Sequence, residues 1–379
     1  MASDKKSSGF SLKDQLFNRD RVQYLAKLFR EADEHFDATG FVRETMKGFG
    51  ALELKERVVH IATILERYLA PDYRVAARQL KAALPPPLDP NRTDDDFGDF
   101  IFAPLGEYVV RNGLVKRHLK LSLRTLKALT QRFSMEDAIR AFINAFPDET
   151  LTELAKWSTD KNYHVRRLVS EGTRPMLPWS KRLSIEDTRP LPLLDTLHAD
   201  RTRYVTRSVA NHLNDIAKTR PEVVISLLRR WKKAGEQESS ELAWMSRHAL
   251  RTLVKQGNPK ALEFLGFRPN PRIEVSGLKI KSTKIKPGQT LEFSFEVTAL
   301  RSEALIIDYV VDFVKANGAL SPKVHKIKQS RLGKGESILV VKRHPLRAEA
   351  TTYTLYPGTH FVTLQINGKP FGRKSFMLL

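Results

Sequence analysis

With 379 residues the chain is long enough for a sizeable core and, more naturally, for two domains, and its 64 lysines and arginines against 43 aspartates and glutamates give a formal charge of +21. Such a balance draws polyanions by long-range steering and phosphate neutralisation, which makes nucleic acid the first partner class, although a high charge can also serve solubility alone. The absence of cysteine excludes disulfides, thiol redox chemistry, thiolate nucleophiles and cysteine-ligated zinc, and fits a reducing cytoplasm.

In chain order, Lys5 and Lys6 are followed by no apolar stretch of signal-peptide length, and no segment reaches the roughly 18 apolar residues of a membrane span. The reading is an intracellular, soluble protein with no membrane partner. The first 37 residues pattern as an amphipathic helix through Leu12, Leu16, Val22, Leu25, Leu28 and Phe29. Residues 52–83 continue helical through Ile61, Leu65 and Tyr68, with Pro71 as a breaker before Val75 and Leu80. Pro85-Pro86-Pro87 cannot continue a helix, and the acidic stretch to Asp99, with Asp94, Asp95 and Asp96 in a row, reads as a surface loop. Helical pattern resumes from Phe100 to about Phe267, punctuated near Pro147, Gly172, Pro190, Pro221 and Pro259. Beyond it, alternating β-rich runs such as Leu291–Val297 and Leu305–Val311 are separated by Pro287-Gly288, Asn317-Gly318, Pro357-Gly358 and Asn367-Gly368.

Within the helical region an arginine returns every 40 residues, at Arg167, Arg207 and Arg247. That period is the mark of stacked helical pairs, because each pair must bury its apolar face on the next. The expected fold is therefore an all-α HEAT-like repeat solenoid over residues 1–267 with a C-terminal all-β immunoglobulin-like sandwich over 268–379. Arg203, Arg207, Asn211 and Asp215 follow one another at i,i+4 and share a helix face, and Arg167 and Glu171 repeat the pair one unit earlier. One such stripe alone reads as a solvated ridge; two at matching heights point to a site. Gly172 then ends a helix, and Pro175 and Pro178 stiffen the connection to Trp179, a residue suited either to stacking or to plugging a core.

The strings Asn162-Tyr163-His164-Val165-Arg166-Arg167-Leu168-Val169-Ser170-Glu171-Gly172-Thr173-Arg174-Pro175-Met176-Leu177-Pro178-Trp179 and Arg207-Ser208-Val209-Ala210-Asn211-His212-Leu213-Asn214-Asp215-Ile216 resemble the AlkC branch of the bacterial DNA alkylation repair glycosylases, the AlkC/AlkD-like HEAT-repeat family. The resemblance implies a monofunctional DNA glycosylase that initiates base excision repair. It implies release of 3-methyladenine and 3-methylcytosine from double-stranded DNA without metal or cofactor, by a cytoplasmic, nucleoid-associated monomer. It places catalytic carboxylates at Glu136, Glu171 and Asp215, and lesion contacts at Trp179, Arg167 and Asn211. Glu136, after Ser134, can also be read as a helix-capping residue.

Backbone contacts are expected from Arg166, Arg174, Lys181, Arg182, Arg203, Arg207 and Lys218. The β domain offers two basic edges, Lys323, His325, Lys326 and Lys328, then Lys342, Arg343, His344 and Arg347, which read as an accessory DNA clamp or as edge-protecting charge. A cationic base leaves without protonation, so the chemistry needs carboxylates beside the charge that develops on the sugar. The competing reading is a non-catalytic solenoid that binds damaged or bent DNA as a scaffold. A lyase activity is not expected, since no lysine stands within the carboxylate cluster.

Overall fold

The computed structural model describes residues 11–91, 97–350 and 353–379. Lys5, Lys6 and the run Asp94-Asp95-Asp96 lie outside the described residues. Helices are α1 (Leu12–Leu16), α2 (Arg19–Ala32), α3 (Ala38–Met46), α4 (Leu54–Tyr68), α5 (Tyr73–Ala82), α6 (Ala103–Gly113), α7 (Leu119–Leu129) and α8 (Glu136–Ala145). They continue as α9 (Pro147–Trp157), α10 (Tyr163–Gly172), α11 (Leu191–Leu197), α12 (Arg203–Ala217), α13 (Pro221–Ala234), α14 (Ser239–Ala249), α15 (Arg251–Lys255) and α16 (Pro259–Phe264).

Local chemistry sets these boundaries. The side chains of Asn18, Asp37, Asp72, Asn162 and Asn258 accept amide hydrogen bonds at the first turns of α2, α3, α5, α10 and α16. Pro147, Pro221 and Pro259 are the first residues of their helices, where proline's missing N–H has no partner to lose. The single helix expected over the first 37 residues is instead α1 and α2. Asn18 breaks it by turning its carbonyl to the Arg21 amide at 3.0 Å, while Leu12 is left exposed and Val22, Leu25 and Phe29 go to the core.

Two compact units result. In the first, which ends at Ile216 and includes Gly235–Met245, α4, α6, α8 and α10 pack side by side in sequence, and α5 packs on α7. Every second helix thus stacks on its counterpart, the layering of a HEAT-like repeat. α10 is the centre of this packing: every one of its residues is buried, and it touches α8, α9 and α11. Gly172 makes the approach possible, since a Cβ there would lie 2.5 Å from Ile139 Cγ2 of α8.

The second unit holds Ala217–Ala234 and Ser246–Leu379. Its strands are β1 (Ile273–Ile280), β2 (Lys284–Ile285), β3 (Thr290–Ala299), β4 (Glu303–Val314), β5 (Leu320–Leu332), β6 (Ser337–Pro345), β7 (Gly358–Ile366) and β8 (Lys369–Leu378). They form a three-stranded sheet in the order β1-β3-β6 and a five-stranded sheet in the order β2-β8-β7-β4-β5, all antiparallel except β2 with β8. Leu291, Phe293, Phe295, Val297 and Ala299 of β3 meet Leu305, Ile307, Tyr309 and Val311 of β4 in one core, the period-2 burial of a sandwich.

β4 is also buried on its other side, at Ile306 and Asp308. There Gln365 donates to the Lys255 carbonyl at 2.8 Å, and Asn367 donates to the Arg268 carbonyl at 2.9 Å. Asn367-Gly368 is the β7–β8 turn with both residues at positive φ, as a type I′ hairpin requires. A Cβ on Gly368 would fall 2.2 Å from Gly257 Cα, so the last helices and this hairpin meet backbone to backbone. The last helix ends at Phe264 and the first strand begins at Ile273, but compactness groups α13, α15 and α16 with the strands for this reason. Among the described residues no helix is long and apolar enough to cross a membrane.

Candidate active site

Glu136 opens α8, Arg167 and Glu171 lie one turn apart on α10, Arg174 follows the end of α10, and Asp215 stands in the last turn of α12. These five side chains form a line of alternating charge. Arg167 Nη1 donates to Glu136 Oε2 at 3.1 Å and to Ser134 Oγ at 2.5 Å, while its Nη2 lies 3.7 Å from Glu171 Oε2. Arg174 Nη1 donates to Glu171 Oε1 at 2.6 Å, and its Nε and Nη2 reach Asp215 Oδ2 at 2.9 and 2.8 Å. Ser208 Oγ donates to Glu171 Oε2 at 2.6 Å. Three carboxylates and two guanidiniums alternate along the line, and the charge of buried Arg140 also acts on Glu171 and Asp215.

The environments of the acids differ. Burial pushes the Glu171 carboxyl up, but Arg167, Arg174 and the Ser208 hydroxyl together outweigh it and hold the group below the ordinary range, so it stays ionised. Glu136 goes the other way, because burial and the neighbouring Glu171 charge outweigh Arg167. Its side chain is nevertheless 26% exposed, against 7% for Glu171 and 4% for Asp215, so Glu136 is the acid most open to water. Beneath them His212 donates through Nδ1–H to the Ser170 carbonyl at 3.1 Å, and burial with the Arg174 charge pushes its imidazole down to about 4. It is a neutral structural residue at physiological pH.

Trp179 sits beside this line with 79% of its surface exposed and φ at +66°, so it is not a core plug. Its loop is fixed from below. The fully buried Arg140 of α8 donates to the carbonyls of Lys181, Gly172 and Arg174 at 2.7, 3.2 and 2.6 Å, and Asn144 holds that of Arg182 at 2.9 Å. Lys55 donates to the carbonyl of Trp179 itself, and Ser180 donates to Asp137. The main chain is pinned and the indole is presented.

Several expected DNA-backbone residues have other employment. Arg166 is buried, forms a bidentate pair with Asp200 and donates to the carbonyls of Asp160 and Lys161, so it fastens helices within the unit. Arg174 is likewise withdrawn from the surface into the charge line. Arg203 is matched by both oxygens of Glu241 at 2.9 and 3.0 Å and lies over the Trp244 ring at 4.0 Å. Arg207 and Asn211 are partly exposed on α12, Lys181 and Arg182 are exposed on the Trp179 loop, and Lys218 is exposed in the second unit. In the sandwich Lys323, Lys326 and Lys328 lie on β5 and Lys342 and Arg343 on β6, each the edge strand of its sheet. His325 and His344 do not belong to a charged edge: they pack on Tyr309, and burial holds both imidazoles down, His344 to about 4.

Ser134, Ser208, Tyr204 and Arg140 escape the sequence reading. Arg167 lies 4.8 Å over the Tyr204 ring and 5.9 Å from that of Phe97. Tyr163 and Tyr204 near the starts of α10 and α12 are the sequence signal that was available for this aromatic wall.

A helical-repeat unit that gathers carboxylates and arginines beside a presented tryptophan, in a chain that ends in an immunoglobulin-like sandwich, defines the class: the chain belongs to the AlkC-type DNA alkylation repair glycosylases. Its fold matches that of Pseudomonas fluorescens alkylpurine DNA glycosylase AlkC, bound to DNA containing an abasic site analog, with a TM-score of 0.87 and 34% identity over 98% of this chain and 100% of that one. It is also 32% identical to uncharacterized protein YhaZ of Bacillus subtilis (strain 168) over 359 residues, 94% of this chain and 96% of the relative. Residues 274–379 match the family described as "Uncharacterised protein YhaZ, C-terminal Ig-like domain".

Proposed function

We propose that the chain hydrolyses the N-glycosidic bond of cationic alkylated bases, 3-methyladenine and 3-methylcytosine, in double-stranded DNA. The observation that carries this is the line Glu136–Arg167–Glu171–Arg174–Asp215, which gathers three carboxylates at one place. A face built only to hold DNA has no use for carboxylates where phosphates dock. Such carboxylates suit a site where positive charge grows on deoxyribose as a base departs. An alkylated base that already carries positive charge needs no general acid, and Glu171, held ionised, is a poor one. The arginines fix the acids at close range, so the groups are oriented before the reaction begins. Glu136, the most exposed of the three, is the acid assigned in this reading to orient the attacking water. Trp179 supplies an aromatic face to a cationic base.

Resemblance to a glycosylase in complex with abasic-site DNA favours catalysis over the scaffold reading. The test incubates the protein with methylated duplex DNA and identifies released bases by mass spectrometry. Glu171→Gln and Asp215→Asn each lower single-turnover base release about tenfold or more while most DNA affinity is retained, the scale of preorganised electrostatic groups. Undiminished rates in both variants, with native circular dichroism, remove these residues from the site.

A further inference from the structure

A cavity of about 420 Å³ lies apart from the charge line, where the turn before α5 meets the connection between α6 and α7. Its volume is in the range of small-ligand sites. Arg74 and Arg117 stand at it, both exposed, and neither forms an ion pair among the described residues. Its buried wall is Tyr73, Tyr108 and His118.

Two of these wall residues have hydrogen-bonding capacity that the fold does not use. The Tyr108 ring is buried, and its hydroxyl, which is not among the solvent-inaccessible unpartnered atoms, has no hydrogen-bond partner among the described residues, whereas that of Tyr73 is satisfied by Ser122 at 2.7 Å. His118 is 8% exposed. Arg117 Nε donates to its Nε2 at 3.3 Å, so the ring proton resides on Nδ1, which has no hydrogen-bond partner among the described residues. Asp72 also lines the cavity; it accepts from the Arg74 and Val75 amides at 2.7 and 3.2 Å as the cap of α5, and its charge acts on Arg74 and His118. Nearby Glu66 is matched by Arg111 at 2.9 and 3.1 Å.

We propose that this cavity binds a phosphoryl oxyanion, with Arg74 and Arg117 supplying charge and the Tyr108 hydroxyl and His118 Nδ1–H supplying donors from the wall. A tetrahedral oxyanion uses several donors at once and answers two unpaired guanidiniums, which a neutral ligand does not. The Tyr108 phenol suits the role, since burial, with Glu66 and Tyr73 adding to it, pushes its ionisation up to about 12 and keeps its proton in place. A phosphodiester of a DNA strand and the monoester of a free nucleotide share this chemistry. The site is independent of the glycosylase reading, because none of its residues belongs to the charge line.

The experiment titrates the full-length protein with inorganic phosphate at constant ionic strength, using calorimetry and the NMR titration of His118. Saturable binding is expected, with the His118 titration moving to higher pH on loading. Burial and the charges of Arg117 and Arg74 hold that imidazole low in the free protein, and a bound anion offsets the arginines. The doubly substituted R74Q/R117Q protein binds phosphate about tenfold or more weakly, and Tyr108→Phe several-fold more weakly, since charge-assisted bonds are the strong ones. Both leave base release by the charge line unchanged at saturating protein. Competition by an undamaged duplex lacking terminal phosphates assigns the pocket to the DNA backbone, and competition by deoxyadenosine monophosphate alone assigns it to a free monoester. Absence of saturable binding, or binding unaltered in folded R74Q/R117Q, overturns the proposal.

Discussion

Arg174→Gln tests the charge line most directly, because this one side chain holds two acids. Its guanidinium reaches Glu171 at 2.6 Å and Asp215 at 2.8 and 2.9 Å with only 12% of the side chain exposed. Removing one partner of a buried ion pair strands the other charge and costs about 3–5 kcal/mol. Arg167, 3.7 Å from Glu171, and the Ser208 hydroxyl remain, so the expected loss at pH 8 is the lower end, about 3 kcal/mol. The pH dependence separates lost charge pairing from lost packing. In the native protein Glu171 ionises below its ordinary value, so its contribution is present above the unfolded pKa and disappears as pH falls through the lower, folded one. In the variant, burial acts with less opposition, the native pKa moves up, and the penalty is felt above it and relieved below. The stability difference between wild type and variant therefore shrinks by about half or more between pH 8 and pH 4.5, read from urea unfolding by far-ultraviolet circular dichroism. A difference that stays constant across that range refutes the electrostatic account and leaves Arg174 a packing residue. Base release by the folded variant also falls, since Glu171 and Asp215 lose the group that fixes their separation.

The repeat was legible because burial imposes a period: Arg167 and Arg207 mark equivalent turns of α10 and α12. The sandwich was legible in the alternation of β3 and in Asn367-Gly368, whose two positive φ angles few other pairs accept. What each cation does was not legible. Arg166 and Arg167 are neighbours of identical chemistry, but α10 is buried all round, so adjacent side chains leave toward different walls, one to Asp200 and one to Glu136. Nothing local to the sequence distinguishes them. Arg174 shows the same limit, since its bond to Asp215 spans 41 residues and depends on how two helices stack. Likewise His325 and Lys326 are adjacent on β5, and the strand's alternation sends the histidine ring onto Tyr309 and leaves the lysine exposed. The two-residue break between α1 and α2 was hidden because their apolar positions keep nearly one helical phase. The oxyanion cavity draws on three separate turns and helices, so no sequence window contains it.

Two further outcomes follow from the geometry. Trp179→Ala removes an exposed indole whose main chain is held independently by Lys55 and Arg140, so the loop stays in place and stability is nearly unchanged. Affinity for duplex carrying a cationic lesion falls by about 1–2 kcal/mol, the scale of a desolvated cation–π contact, with a smaller loss on undamaged duplex; equal losses in a binding titration contradict a lesion contact. Truncation after residue 267 leaves Glu136, Arg167, Glu171, Arg174 and Asp215 intact, since all five belong to the first compact unit. It strips the bonds from Gln365 to the Lys255 carbonyl and from Asn367 to that of Arg268, together with the Gly257–Gly368 backbone contact. Hydrogen exchange in α15 and α16 therefore accelerates in the truncated protein while α8 and α10 stay protected, and base release persists at saturating protein. If Lys323, Lys326 and Lys328 each neutralise a phosphate, the slope of log affinity against log salt falls by up to about 2.7, at roughly 0.9 per contact. An unchanged slope assigns the basic edge of β5 to protection of an open strand, because lysines that touch DNA cannot be removed without returning their counterions.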